Sequence, residues 1–416
     1  MYDKLVLPNG VRIVSESMPY VRTAAIGIWV GVGSRFERAG ENGAAHFIEH
    51  MLFKGTSNRT AAGLANIMDG IGGQINAFTS KESTCFYARV LETHLELAID
   101  VLCDMFFDSL LTEADFDSER GVILEEIGMC ADAPEDLVSE RLIKKCFPGA
   151  LGRPVLGTPK SLEGLSPEAL RGFMSRCYIA PRIVVSLCGR FGGSHIRRLE
   201  EVFSRLPKAP DIRPGRSKYT PCFTSKRKAF EQNHLCLGFP GLALDDERRY
   251  PMSVLSSVLG GGMSSRLFQT VREKHGLCYS IYTSSSEFSD TGMFNIMTAV
   301  SRDSEEKALE LILDELRRVT YSGVTGEELD RAREQTKAGI LMALESTTAH
   351  MNRLGFGELA LGFCPEPDEL IAKYDAVTRD DVLAVARSVL DLRRLSLSAV
   401  GRVGPADAYA ALAEKL

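Results

Sequence analysis

The chain has 416 residues, of which 44% are hydrophobic and 25% charged, and its formal net charge is −6. This is the composition of an ordinary soluble globular protein, and the length predicts two domains or at most three. The slight acidity argues against a protein dedicated to binding nucleic acid or anionic membranes. No apolar run reaches the roughly 18 residues that a membrane-spanning helix needs.

The cysteines and the first residues bear on the cellular compartment. The ten cysteines form no Cys-x-x-Cys pair, which predicts reduced, mostly buried thiols rather than a disulfide framework. The first residues lack the basic and apolar regions of a secretory signal peptide. We therefore expect a cytoplasmic protein.

A strand pattern at 24–30 is followed by a short motif with the chemistry of a metal site. On a helix, His46, Glu49 and His50 fall within an arc of about 100°. Two imidazoles one turn apart can share a cation with a carboxylate beside them, as a catalytic zinc requires. His-x-x-Glu-His is the inverted form of the commoner zincin motif. The alternative is the polar face of a partly buried helix.

Three further elements follow the motif. Residues 76–79 alternate and precede a polar turn, as an edge strand does, and 85–90 has the composition of a strand. Residues 93–107 place apolar side chains at helical spacing. This mixture predicts an α+β sandwich, with helices on one face of a mostly antiparallel sheet.

A third metal ligand is expected to be a carboxylate, because the remaining histidines are isolated in the sequence. The predicted helix 113–129 carries Glu119, Glu125 and Glu126. Seven residues make almost two turns, so Glu119 and Glu126 share a face while Glu125 points elsewhere. One of the pair could bind the metal and the other support it, and spacing alone leaves the choice open.

The chain repeats on either side of a basic, proline-rich stretch at 205–228. That stretch predicts an exposed linker, and a docking patch for an acidic partner is the alternative. Three segments of the first half recur in order at offsets of 212 or 213 residues: 111–116 at 324–329, 166–170 at 378–382, and 187–191 at 399–403. We therefore predict an internal duplication, with a metal-binding domain at 1–207, a linker at 208–232 and a second domain at 233–416.

The second copy lacks the residues of the metal motif. Apolar Leu255, Val258 and Leu259 stand roughly where the first copy has histidine and glutamate. This half either supports folding alone or forms part of the substrate-binding wall. The run Gly260–Gly262 is expected to end a helix, because glycine accepts the left-handed conformation at a C-terminus.

The motifs together resemble the pitrilysin/insulinase (inverzincin) metallopeptidases. The resemblance is strongest to the two-domain branch that contains mitochondrial processing peptidase and its bacterial relatives. It rests on the motif at 46–50, on Glu126 placed 76 residues after His50, and on the stretches 33–37, 76–82 and 119–126. The likeness covers nearly the whole chain.

The resemblance implies roles for individual residues. His46, His50 and Glu126 match the ligands of one zinc ion, Glu49 matches the general base, and Glu119 matches a glutamate that supports the ligands. Zinc would lower the pKa of a water molecule toward about 7 and polarise the scissile carbonyl. Glu49 would take the proton of that water and pass it to the leaving amine.

The resemblance also implies where substrate binds. Arg272 and Tyr279 match a pair that contacts substrate, and both could hydrogen-bond the carbonyl oxygen as it gains negative charge. An extended peptide would add through main-chain hydrogen bonds to an edge strand. That strand comprises Asn76, Ala77, Phe78 and Thr79.

These features predict a zinc endopeptidase that hydrolyses short or unfolded peptides in a chamber between two domains. One alternative is a catalytically silent structural or partner subunit of a heterodimeric processing peptidase, and another is a non-catalytic metal-binding module. The intact motif argues against both. We expect a peptide substrate and a homodimer, with a heterodimer as the other arrangement, and neither a nucleic acid nor a membrane as a partner.

Overall fold

The computed structural model describes residues 2–415, which form two compact units. Neither unit is one continuous stretch of chain. The first comprises the residues up to Ile127, Arg153–Gly215 and Leu341–Glu366; the second comprises Gly128–Gly152, Arg216–Ile340 and the residues from Pro367 onward. Each unit therefore includes a segment from the other half of the sequence.

The first unit is built on a six-stranded sheet in the order β1-β2-β6-β3-β5-β4. Its strands are β1 (Asp3–Val6), β2 (Arg12–Ser17), β3 (Thr23–Val30), β4 (Gln74–Thr79), β5 (Thr84–Leu91) and β6 (Ile183–Gly189). Only β2 and β6 pair in parallel; the other neighbours are antiparallel. The strands predicted at 24–30 and 85–90 and the edge strand predicted at 76–79 are confirmed.

The second unit repeats this topology in a five-stranded sheet ordered β7-β11-β8-β10-β9. Its strands are β7 (Phe223–Arg227), β8 (Asn233–Gly241), β9 (Cys278–Glu287), β10 (Gly292–Val300) and β11 (Ser396–Gly401). The order and its one parallel pair, β7 with β11, match those of β2, β6, β3, β5 and β4. The predicted fold class, two duplicated α+β sandwiches with mostly antiparallel sheets, is confirmed.

Helices connect the strands of both sheets. In chain order they are α1 (Ala44–Leu52), α2 (Ala61–Gly70), α3 (Leu95–Asp108), α4 (Glu113–Asp132), α5 (Pro134–Cys146), α6 (Pro159–Glu163), α7 (Pro167–Cys177), α8 (Gly193–Phe203), α9 (Arg249–Gly260), α10 (Glu305–Ser322), α11 (Gly326–Ala343), α12 (Thr347–Leu361), α13 (Pro367–Ala376), α14 (Arg379–Val389) and α15 (Ala406–Lys415), with a π-helical segment at Phe268–Lys274. Hydroxyl side chains cap α7 and α14, where Ser166 and Thr378 accept backbone hydrogen bonds.

Both faces of the first sheet are buried, so the prediction of helices on one face describes only part of the packing. Along β3, Ile26 and Ile28 point into the main core, which includes α1 and α3. Ala25 and Trp29 point to the opposite face, where they pack against Met351 of α12. The second sheet is covered in the same way by α5, which packs on the face opposite its main core.

Two local predictions are corrected by the backbone. The stretch 208–232 includes strand β7, so only part of it is irregular. Helix α9 does end at the glycine run, but Gly261 has a φ of −82° and is not left-handed. Close packing requires the first two glycines instead, because a Cβ on Gly260 would lie 2.6 Å from the backbone nitrogen of Thr283 and one on Gly261 would lie 2.6 Å from Cα of Ser257.

The cysteines and helices also bear on the expected environment. All ten cysteines are free thiols and eight are buried, as predicted. Across residues 2–415, none of the helices combines the length and apolar character needed to cross a bilayer.

Candidate metal centre

Helix α1 carries the metal motif, and a buried glutamate fixes its start. Gly43 precedes the helix with a φ of 98°, a conformation that favours glycine. Glu37 accepts hydrogen bonds from the N–H groups of Gly43 and Ala45 at 3.0 and 2.9 Å. This carboxylate satisfies donors that the first turn of a helix leaves free, immediately before His46. Glu37 belongs to a stretch used above only for its resemblance, and its capping role was not predicted.

His46, His50 and Glu126 converge as the resemblance implies. The two imidazole centroids are 4.6 Å apart on successive turns of α1. The Nε2 atoms of both histidines lie 3.6 Å from Oε2 of Glu126, which comes from α4. One ligand atom from each residue lies within 4.8 Å of the other two. A cation with zinc–ligand distances of about 2 Å can be held between atoms at this spacing.

The polar atoms at this site have the character of an unsatisfied ligand set. Oε2 of Glu126, Oε2 of Glu49 and Nδ1 of His46 are buried without a hydrogen-bond partner among residues 2–415. Buried polar atoms are usually paired, so the Glu126 oxygen, which faces two imidazoles and has no hydrogen-bond partner within residues 2–415, has the character of a metal ligand. Two imidazoles and one carboxylate also form a known ligand set of catalytic zinc. The residues therefore fit this ion.

Glu119 occupies the opposite side of the His50 ring. Its Oε2 lies 3.0 Å from Nδ1 of His50, and its Oε1 lies 2.5 Å from Nζ of Lys54. Spacing left Glu119 and Glu126 as equal candidates for the metal ligand. The geometry separates them, because Glu126 faces Nε2 of both histidines and Glu119 faces Nδ1 of one. Lys54 was not predicted, although it lies four residues after His50 and therefore one helical turn away.

Electrostatics favour the neutral imidazole that a metal ligand must have. Burial and, to a smaller extent, the neighbouring His50 lower the pKa of His46 to about 4. His46 is therefore neutral near pH 7. The pKa of Glu49 is raised, chiefly by burial and also by Glu126, while a hydrogen bond from Thr79 and the proximity of His50 act in the opposite direction.

Edge strand β4 lies directly beside this glutamate. Its side chains alternate: Ile75 and Ala77 pack against the main core, and Asn76 and Phe78 are exposed on the other face. The Phe78 ring also contacts Trp29 edge-on, with centroids 5.6 Å apart. The N–H of Ala77 donates to Oδ1 of Asn76 at 2.8 Å, so this edge donor is used by an exposed side chain and not by β5.

The predicted residues of the second unit lie together. The guanidinium of Arg272 is 4.9 Å from the ring centroid of Tyr279, a cation–π distance, and Tyr279 is 77% exposed. Leu255, Val258 and Leu259 are buried in the core of this unit. The contribution of Arg272 and Tyr279 to the chemistry stays a prediction.

Two family models together match most of the chain between residues 12 and 336. A family model described as insulinase (peptidase family M16) matches residues 12–159, and one described as peptidase M16 inactive domain matches residues 164–336. A relative from Streptomyces coelicolor, named an uncharacterized zinc protease, is 45% identical over 410 residues, covering 96% of this chain and 89% of the relative. The chain belongs to the M16 peptidase family.

A second relative agrees with this membership, and two solved structures share the fold. An uncharacterized zinc protease of Bacillus subtilis is 43% identical over 393 residues, covering 94% of this chain and 96% of the relative. The peptidase M16 inactive domain from Pseudomonas fluorescens has a TM-score of 0.90 at 20% identity and covers 97% of this chain and 98% of its own. The structure of a protease from Helicobacter pylori has a TM-score of 0.88 at 20% identity and covers 96% of this chain and 99% of its own. The predicted resemblance to the two-domain insulinase family is confirmed.

Proposed function

We propose that this M16 family member is a zinc-dependent endopeptidase acting on short or unfolded peptides. The observation that carries the proposal is the unpaired Oε2 of Glu126, which lies 3.6 Å from Nε2 of both His46 and His50. Glu49 lies on the same helix and is half-buried, and its Oε2 has no hydrogen-bond partner within residues 2–415, so it is available to accept a proton. The naming of close relatives as zinc proteases supports the choice of metal.

The chain's own residues then have distinct tasks. Zinc held by His46, His50 and Glu126 would polarise the scissile carbonyl and make a water molecule more acidic. Glu49 takes a proton from the attacking water at its carboxylate and returns it to the leaving amine nitrogen. Because burial raises the pKa of Glu49, its carboxylate holds that proton more readily between the two transfers.

Strand β4 is proposed to bind the peptide in extended form. The N–H of Ala77 already donates to an exposed side-chain oxygen, and a substrate carbonyl would take the place of that oxygen. Main-chain hydrogen bonds of this kind require an extended backbone rather than a particular sequence, so they select unfolded peptides. Arg272 and Tyr279 are proposed to contact substrate, and this assignment, like the expected chamber between the domains, rests on the family resemblance.

Metal analysis combined with cleavage of a quenched fluorescent peptide tests the proposal. We expect one zinc ion per chain and cleavage that is lost with a chelator and restored by added zinc. Bound zinc without cleavage would support a metal-binding module instead. Absence of both would support a silent partner subunit.

A further inference from the structure

Lys54 lies at the end of the helix that carries the zinc motif, and its ammonium group contacts Glu119. The Nζ–Oε1 distance is 2.5 Å, and the Lys54 side chain is 35% exposed while that of Glu119 is 4% exposed. The backbone of Lys54 is held as well, because its N–H donates to the carbonyl of Met51 at 3.1 Å. A cation at this helix C-terminus also interacts favourably with the helix dipole.

Glu119 is therefore held from two directions by residues one turn apart. Its Oε2 lies 3.0 Å from Nδ1 of His50, while Lys54 occupies its Oε1. A carboxylate fixed in this way accepts the Nδ1–H of a neutral imidazole and leaves the Nε2 lone pair free. In the structure that Nε2 faces Glu126.

The other histidine provides an internal comparison. Nδ1 of His46 is buried and has no hydrogen-bond partner within residues 2–415. No hydrogen bond at Nδ1 therefore fixes the orientation of the His46 ring, whereas the Glu119 carboxylate contacts Nδ1 of His50. A residue that fixes the position of Glu119 therefore acts on His50 and not on His46.

We propose that Lys54 is a positioning residue for the metal centre, acting through Glu119 to orient His50 and to strengthen zinc binding. This inference rests on the proposed function, because it takes zinc as the bound ion. A group behind a metal ligand typically changes metal affinity by about 10- to 100-fold when it is removed. Lys54 is one contact further away, so we expect an effect of about tenfold.

The test is the zinc dissociation constant of the full chain, measured by competition with a fluorescent zinc chelator. Lys54→Met keeps the apolar stem and removes the charge, and it should weaken zinc binding about tenfold. Lys54→Arg should restore most of the affinity, because its guanidinium can also bind a carboxylate. Lys373→Met is the matched control, since Lys373 pairs with Glu247 at 2.8 Å far along the chain from the metal ligands. It should leave the affinity unchanged.

A double-mutant cycle separates action through Glu119 from general damage. In a Glu119→Gln background, the further change Lys54→Met should have almost no effect on zinc affinity. An equal tenfold loss in both backgrounds, or wild-type affinity in Lys54→Met, would overturn the proposal. Lys54→Gln, measured in the same way, replaces Lys54→Met should the latter fail to fold. Failure of the wild-type chain to bind zinc would instead refute the proposed function.

Discussion

The hydroxyl of Thr79, the last residue of the edge strand, lies beside the carboxyl group of Glu49, the proposed general base, and lowers the pKa of that carboxyl group. This contact joins the strand that is proposed to bind the peptide backbone to the carboxylate that is proposed to act on the attacking water. Substrate position and base position are therefore set by neighbouring atoms of the same unit.

Replacing Thr79 should affect turnover more than metal binding. Thr79→Val keeps the shape of the side chain but removes its hydroxyl, so Glu49 loses the polar neighbour that we propose orients it. We expect kcat to fall by about tenfold with zinc content unchanged. Thr79→Ser, which retains the hydroxyl, is the matched control and should stay near wild type. A Thr79→Val enzyme with full kcat would show that the contact does not orient the base.

Removing the edge donor at Ala77 should weaken use of long peptides. Proline lacks an N–H and is tolerated on an edge strand where that group faces away from the sheet. Ala77→Pro should lower kcat/KM for an extended peptide by about tenfold, the value of one hydrogen bond, while zinc binding persists. Ala77→Ser keeps the N–H and serves as the control. Equal kcat/KM for the proline variant and wild type would exclude peptide addition at this residue.

Packing of α12 on the first sheet depends on a glycine. A Cβ on Gly355 would lie 2.0 Å from Nε1 of Trp29, so Gly355→Ala forces the indole or the helix to move. We expect a loss of about 1–3 kcal/mol in the free energy of unfolding. Gly172 of α7 has open space at its Cβ position, so Gly172→Ala should be neutral or stabilising. Urea unfolding followed by fluorescence of Trp29, the single tryptophan, distinguishes the two.

A second attachment of α12 is predicted to depend on pH. His350 Nδ1 lies 2.8 Å from Oε2 of Glu16, on β2, and this bond raises the pKa of His350 and lowers that of Glu16. The raised histidine pKa stabilises the fold fully below its ordinary value of 6.5, and this contribution is lost as pH rises through the folded-state pKa. The lowered pKa of Glu16 stabilises the fold fully above pH 4.5, the ordinary pKa of glutamate. This contribution is lost as pH falls through the folded-state pKa.

The pair should therefore contribute most between pH 4.5 and 6.5. Glu16→Gln should lower stability by about 1 kcal/mol in this window, allowing for solvent screening, and by less near pH 9. The measurement is the urea midpoint of wild type and variant, once inside this window and once near pH 9. Glu163→Gln, at an exposed residue, is the control. A Glu16→Gln effect that is larger at the higher pH would contradict the assignment.

The residues of the metal centre could be predicted where helical periodicity alone determines which side chains share a face. His46, Glu49 and His50 share one face of α1 because of their spacing, and Glu119 and Glu126 share one face of α4 for the same reason. Which glutamate meets the metal depends on the distance between the two helices, and local spacing carries no such information. The support from Lys54 depends on that same distance.

The strands and the duplication were predictable for a similar reason. Alternation and apolar runs identify β3, β4 and β5, and the repeated segments lie at equivalent helix starts and strands of the two units. The packing of α12 could not be anticipated, because an amphipathic helix can cover either of two similar sheets. The fit of Gly355 against Trp29 and the bond from His350 to Glu16 are among the contacts that specify the sheet that it covers.

The central claim is that zinc-dependent hydrolysis uses Glu49 as its base, and peptide profiling by mass spectrometry tests it most directly. Wild type and Glu49→Gln would be incubated with the same peptide mixture after their zinc contents are measured. We expect equal zinc contents, chelator-sensitive cleavage by wild type, and a loss of about a hundredfold or more in the variant. Cleavage by Glu49→Gln at the wild-type rate would contradict the account.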